Sequence, residues 1–208
     1  MKTIDLETWN RREHYEFFSA YEDPYFGIVS EIDASAGYRS ARERGISFFA
    51  FYLHCSIQAA NRVEAFRYRI QEGAVVVYDQ VHAGTTIGRK DESFAFAVIP
   101  FSPDFESFNL ELQKEIVEVE NTRGLRRSRE GSRKDLIHHS TFPWSRITGL
   151  SHPRNFNTDL SIPKITFGKA YERDSRLFLP VAVDVHHGLM DGVQVAKYLE
   201  ALQQLMDR

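Results

Sequence analysis

The stretch Pro180-Val181-Ala182-Val183-Asp184-Val185-His186-His187-Gly188-Leu189-Met190-Asp191-Gly192 decides the architecture. Its first half is apolar and rich in valine, which favours a strand. Asp191-Gly192 then marks the start of a helix in which Val195, Tyr198, Leu199, Leu202, Leu205 and Met206 share one face. Two histidines stand where the strand ends. A side chain at such a junction can point into a cleft while both flanking elements hold it still, and imidazole titrates near cellular pH, so a histidine here suits proton transfer. Neighbouring strand residues face opposite ways, so only one of the pair enters a given cleft and the other is structural.

Working outward, residues 162–171 and 177–186 read as two strands joined by the polar connection Glu172-Arg173-Asp174-Ser175. Residues 5–21 carry Trp9, Tyr15 and Phe18 at partly helical spacing, stopped by Pro24 before a strand at 26–32. Phe49, Leu53, Ile57 and Ala60 make the apolar stripe of a long helix over 46–66. Val75-Val76-Val77-Tyr78 and the alternating Phe94, Phe96 and Val98 read as strands. Ser102-Pro103-Asp104 reads as a cap with proline at the first helical position, opening a helix that ends near Asn121. The mixture is α/β or α+β, and the pattern alone leaves strand order open.

At 208 residues with no repeat and no Gly/Ser/Pro linker, the chain reads as a single domain over 1–208. Such a length buries about 70% of the unfolded surface. The lone Cys55 lies beside an apolar run and has no intrachain disulfide partner, which fits a reducing compartment. With no apolar stretch of membrane-spanning length and no leader-like start, the expected location is cytoplasmic, with no membrane partner. The net charge of −3 argues against a nucleic-acid partner. In the loop 122–134, Arg123, Arg126, Arg127, Arg129, Arg133 and Lys134 oppose only Glu130. It reads as solvated, although arginine forks also grip phosphate or carboxylate. His138-His139 and His186-His187 supply four imidazoles without metal-ligand spacing or cysteine companions, so no metal is expected. No glycine-rich phosphate loop is present.

His186-His187 followed by Asp191-Gly192 spells His-His-x-x-x-Asp-Gly, which resembles the chloramphenicol acetyltransferase family. Ser140-Thr141-Phe142-Pro143-Trp144, which begins 47 positions before His187, is similar to the family's Ser-x-x-Pro-Trp segment. Pro163-Lys164-Ile165-Thr166-Phe167-Gly168-Lys169 is similar to its hairpin strand, and Trp9-Asn10-Arg11-Arg12-Glu13-His14-Tyr15 to its opening. The resemblance runs from about residue 5 to 206. It implies a two-layer α/β sandwich, a mixed sheet with helices on one face. It also implies an antibiotic-resistance enzyme, a homotrimer that moves acetyl from acetyl-CoA to a chloramphenicol hydroxyl in a ternary complex, without a metal. In that scheme His187 is the general base, Ser140 stabilises the tetrahedral oxyanion, and Thr166 supports it through bound water. Asp191 forms a buried ion pair with Arg11 that holds the histidine loop. Phe18, Phe26 and Phe94 wall the acceptor pocket, and Lys169 lies near the coenzyme's ribose phosphate. The sequence departs from the family at Ala170, where tyrosine is usual, at Lys164, where a small apolar residue is usual, and at Leu150 and Arg127, where phenylalanine is usual. These changes leave open a different hydroxyl or amine acceptor, or a binding protein without turnover.

Overall fold

A computed structural model describes residues 1–127, 133–153 and 161–208. The apolar stretch before the histidines forms β10 (Arg176–His186), whose residues from Leu179 to His186 are all buried. Apolar residues on both faces suit a strand with neighbours on both edges. On one edge it pairs antiparallel with β2 (Tyr25–Asp33) over nine register partners, and on the other with β8 (Lys164–Gly168). Beyond β8 lie β7 (Leu136–Phe142) and β5 (His82–Gly88), parallel to it, and then antiparallel β6 (Phe94–Ile99) at the edge. The sheet order is β2-β10-β8-β7-β5-β6, and the short β9 (Tyr171–Arg173) pairs with the start of β10. A separate three-stranded sheet joins β1 (Lys2–Thr3), β4 (Ala74–Val77) and β3 (Tyr68–Gln71).

The helices are α1 (Arg12–Ser19), α2 (Ser35–Glu43), α3 (Phe48–Arg62), α4 (Phe105–Asn121) and α5 (Gly192–Met206). Val181, Val183 and Val185 point toward the helical layer and join its core, which includes Leu53 and Ile57 of α3 and Leu202 of α5. Full burial of each such side chain contributes about 1.5–3 kcal/mol. Ala182 and Asp184 alternate onto the opposite face. None of the helices among the described residues is long and apolar enough to cross a membrane.

One polar chain runs through the helical side. Tyr198 OH meets Ser56 Oγ at 2.7 Å, Ser56 Oγ meets His139 Nε2 at 2.8 Å, and His139 Nδ1 meets the Ile137 carbonyl at 3.1 Å. Burial drives the His139 imidazole down to about 3, so it is neutral, donates from Nδ1 to the carbonyl and accepts at Nε2. This chain fixes the facing of β7, so that the next residue, Ser140, turns to the other side of the sheet. Ser56→Ala leaves both partners unsatisfied and is expected to lower stability by about 1–3 kcal/mol, measured by urea denaturation.

Several boundaries differ from the sequence reading. The first helix begins at Arg12 rather than Asp5, because the Asp5 carboxylate takes the Glu7 amide and the Thr8 hydroxyl and holds residues 5–8 in turns. Asp104, not Ser102, caps α4, with Oδ2 accepting from the Ser107 amide at 2.8 Å. The helix read over 46–66 is α3, which runs from Phe48 to Arg62 and is followed by a short 3-10 turn at Glu64–Arg67. The hairpin into β10 turns on Asp174-Ser175 alone, both at positive φ, and its incoming strand is β9. The basic loop is not simply solvated. Arg126 is buried against Glu115 of α4 at 2.8 Å and Arg133 pairs with Asp135, while Arg129 and Glu130 lie outside the described residues. Cys55 is buried in α3, and burial pushes its thiol up to about 12.

Candidate active site

β10 ends at His186, whose buried ring accepts from the Gly188 amide at Nδ1 (3.1 Å) and so closes the turn on itself. His187 follows, half-buried, with its amide donating to the Pro24 carbonyl at 2.7 Å. Its ring stacks flat on Phe18 of α1, with centroids 3.7 Å apart and planes 5° from parallel, and touches Phe26 of β2 at 4.5 Å. Nδ1 is buried with no hydrogen-bond partner among the described residues. Two aromatic walls, and no carboxylate among the described residues, therefore orient this imidazole. A buried nitrogen without a partner leaves Nε2 as the atom able to meet a substrate.

Asp191 serves the scaffold. Arg11 Nη1 donates to its Oδ2 at 2.9 Å, while Arg11 Nη2 donates to the His187 carbonyl at 3.2 Å. The other Asp191 oxygen caps α5 by accepting from the Val193 amide, and Gln194 reciprocates on the Asp191 amide. One residue thus anchors the helix start, the N-terminal segment and the loop carrying His187. Burial works to raise the Asp191 carboxyl, but the Arg11 hydrogen bond, the Val193 amide and the Arg11 charge outweigh it and hold it below its ordinary value.

With side-chain exposures of 11% and 31%, the pair is not fully dry. Arg11→Ala is therefore expected to lower stability by about 2–3 kcal/mol, short of the 3–5 of a wholly buried pair. The sign with pH follows from the lowered carboxyl. Its contribution is complete above the ordinary value of about 3.9 and is lost as pH falls through the folded value. Urea curves of wild type and Arg11→Ala are expected to converge as pH falls below about 3.9.

Ser140 and Thr166 lie on adjacent parallel strands as direct register partners, and Thr166 pairs with Ala182 of β10. All three share the face opposite the helices. His186 lies four residues farther along β10, about 13 Å of extended chain, and His187 lies beyond it. A single chain therefore does not bring His187 to Ser140 and Thr166. Phe94 lies at the opposite edge, exposed, on β6, and Lys169 is exposed just past β8. Phe18 and Phe26, by contrast, touch His187 directly.

The sequence reading missed two residues here. His152 places Nε2 3.1 Å from Thr166 Oγ1 and Nδ1 3.2 Å from Asp184 Oδ2. Asp184 carried a signal, since a carboxylate within an otherwise apolar buried strand requires a partner. His152 carried none, because it lies in a loop. Lys164, which stands where the family has a small apolar residue, donates to the Pro153 carbonyl at 2.9 Å. Its cross-strand neighbour His138 is pushed down to about 4, chiefly by burial and further by the Lys164 charge. Among the described residues no group of three or more metal-ligating side chains is gathered.

The chloramphenicol acetyltransferase family profile matches residues 1–203. The chain belongs to the chloramphenicol acetyltransferase family. It is 27% identical over 206 residues to chloramphenicol acetyltransferase 2 of Haemophilus influenzae, covering 98% of this chain and 96% of that one. A solved chloramphenicol acetyltransferase superposes with a TM-score of 0.92 at 30% identity, over 99% of this chain and 100% of its own. A probable dihydrolipoamide acetyltransferase of Listeria monocytogenes shares the fold, with a TM-score of 0.68 at 15% identity, over 100% and 94% of the two chains. Membership of the chloramphenicol acetyltransferase family makes this chain an acyltransferase, on a mixed α/β fold with a mixed sheet.

Proposed function

We propose that this acyltransferase, a single domain over 1–208, moves an acetyl group from acetyl-CoA to a hydroxyl of chloramphenicol, in the cytoplasm, as an antibiotic-resistance enzyme. His187 Nε2 takes the hydroxyl proton as the oxygen attacks the thioester carbonyl within a ternary complex. Ser140 donates to the oxygen on which negative charge develops, and Thr166 supports that oxygen through water. Collapse breaks the carbon–sulfur bond, and the imidazolium returns its proton to the leaving sulfur. The exposed ammonium of Lys169 suits a phosphate of the coenzyme. Phe18, Phe26 and Phe94 wall the acceptor.

The observation that carries this reading is the separation of His187 from the Ser140 and Thr166 row along the sheet. The mechanism needs all three around one carbonyl, so each site takes its histidine from one copy and its hydroxyls from the next. A cyclic homotrimer of about 72 kDa, from 24.1 kDa chains, satisfies this with three equal sites. Exposed Val29 and Phe142 on the Ser140 side of the sheet, with Trp144 and Leu150 in the next segment, give the copies apolar surface to bury.

Release of free thiol from acetyl-CoA in the presence of chloramphenicol tests the acceptor. Transfer is expected for wild type, because the Lys164 ammonium is already engaged by a carbonyl. Lys164→Ile is expected to change KM more than kcat. Undetectable transfer by both proteins, alongside transfer to another alcohol, removes chloramphenicol and leaves the His187 mechanism in place.

A further inference from the structure

A groove of about 680 Å³ lies between α5, the end of α3 with the 3-10 turn after it, and residues 9–11. That volume falls within the range of small-molecule sites. Neither His187, Ser140 and Thr166 nor Phe18 and Phe26 line it, so it lies outside the residues assigned to acetyl transfer. Its walls carry charges of both signs without ion-pair partners. The side chains of Arg62, Lys197 and Glu200 are exposed and make no hydrogen bond or ion pair among the described residues. Glu64 accepts from the Tyr68 hydroxyl at 2.6 Å but meets no cation among the described residues. Elsewhere on the surface opposite charges at helical spacing close on each other, as Lys114 does on Glu111 at 2.6 Å. Lys197 and Glu200 of α5 have the same spacing in the reverse order, the poorer orientation for a pair, and they stay open to the groove. Trp9, half-buried and edge-on to Tyr68 at 5.5 Å, supplies an aromatic wall, and Val63 and Ala201 add aliphatic surface.

We propose that this groove binds a small zwitterion with an apolar body, a free α-amino acid. Arg62 and Lys197 take its carboxylate, Glu200 takes its ammonium, and its side chain lies against Trp9. A simple anion or a simple cation answers only half of the groove. A ligand that carries both charges on one apolar body answers all of it. Arg11 forms part of the wall, and its Nη1 and Nη2 hold Asp191 and the His187 carbonyl, so an occupied groove lies against the residue that seats the His187 loop. The inference does not depend on the acetyl-transfer reading.

Isothermal titration of the full chain with L-phenylalanine tests it, against three analogues that each lack one feature. N-acetyl-L-phenylalanine lacks the positive charge, L-phenylalaninamide lacks the negative one, and glycine lacks the ring. L-Phenylalanine is expected to bind saturably. The two singly charged analogues are expected to bind more weakly by roughly threefold or more, the scale of a solvent-exposed ion pair. Glycine is expected to be weaker by roughly tenfold or more, from the lost apolar burial. Replacing Arg62→Gln and Lys197→Gln together is expected to weaken L-phenylalanine and not L-phenylalaninamide. Glu200→Gln is expected to weaken L-phenylalanine and not N-acetyl-L-phenylalanine. All three side chains are exposed and unpaired, so both variants are expected to fold, which urea denaturation checks. No saturable binding of L-phenylalanine, equal affinity for all four ligands, or affinities unchanged in both variants overturns the site.

Discussion

Replacing His187 with alanine is expected to lower kcat by at least about 10³-fold, near the upper end of what a single general base contributes. The fold should survive. The ring is half-buried, makes its contacts to Phe18 and Phe26, and leaves the backbone bonds to Pro24 and Arg11 untouched when it is removed. His186→Ala is expected to behave in the opposite way. Its buried ring closes the turn through the Gly188 amide, so stability falls more than rate. Single-turnover acetyl transfer and urea denaturation on the two variants separate rate from stability. A His187→Ala protein that kept more than a few per cent of wild-type kcat would assign the base elsewhere.

Ser140→Ala is expected to lower kcat by about 10²-fold with little change in KM, the pattern of a donor that acts only as charge develops. The same variant tests the shared site. In a 1:1 mixture of His187→Ala and Ser140→Ala chains, refolded together, about a quarter of sites in random trimers combine an intact histidine with an intact serine. Activity should therefore return to roughly that fraction, although each variant alone is nearly silent. Sedimentation equilibrium of wild type should give the trimer mass. An active monomer, or no recovery on mixing, would place all three groups within one chain and contradict the separation along β10.

The C-terminal third was legible where sequence and packing agreed. β10 is apolar along its length, and the helix after it carries its own cap at Asp191 and one clean apolar face. The strand that carries Ser140 was not legible. Leu136-Ile137-His138-His139-Ser140 looks polar, and it becomes a central strand only because Ser56 and Tyr198, distant in sequence, satisfy His139. β5 hid behind Gly84 and Gly88, which carry no strand preference. Helix α2 hid behind Gly37. A Cβ there would stand 2.7 Å from the Phe51 ring and 3.0 Å from the Met206 carbonyl, so close packing demands a poor helix former. The His187 seat was half visible, since the family resemblance named His187, Phe18 and Phe26 for one site and the three do touch, while the stacking itself depends on how α1 lies against β2.

The bond between Arg11 and Asp191 joins residues 180 positions apart. Contacts of such separation form late, because the chain between them must already be ordered before closing the loop becomes favourable. During synthesis the N-terminal segment leaves the ribosome long before its partner exists, and the imidazole can be seated only when nearly all the chain has emerged. The ring of His187 is thus seated against Phe18 and Phe26 in a loop that is held only when the two ends of the chain have come together.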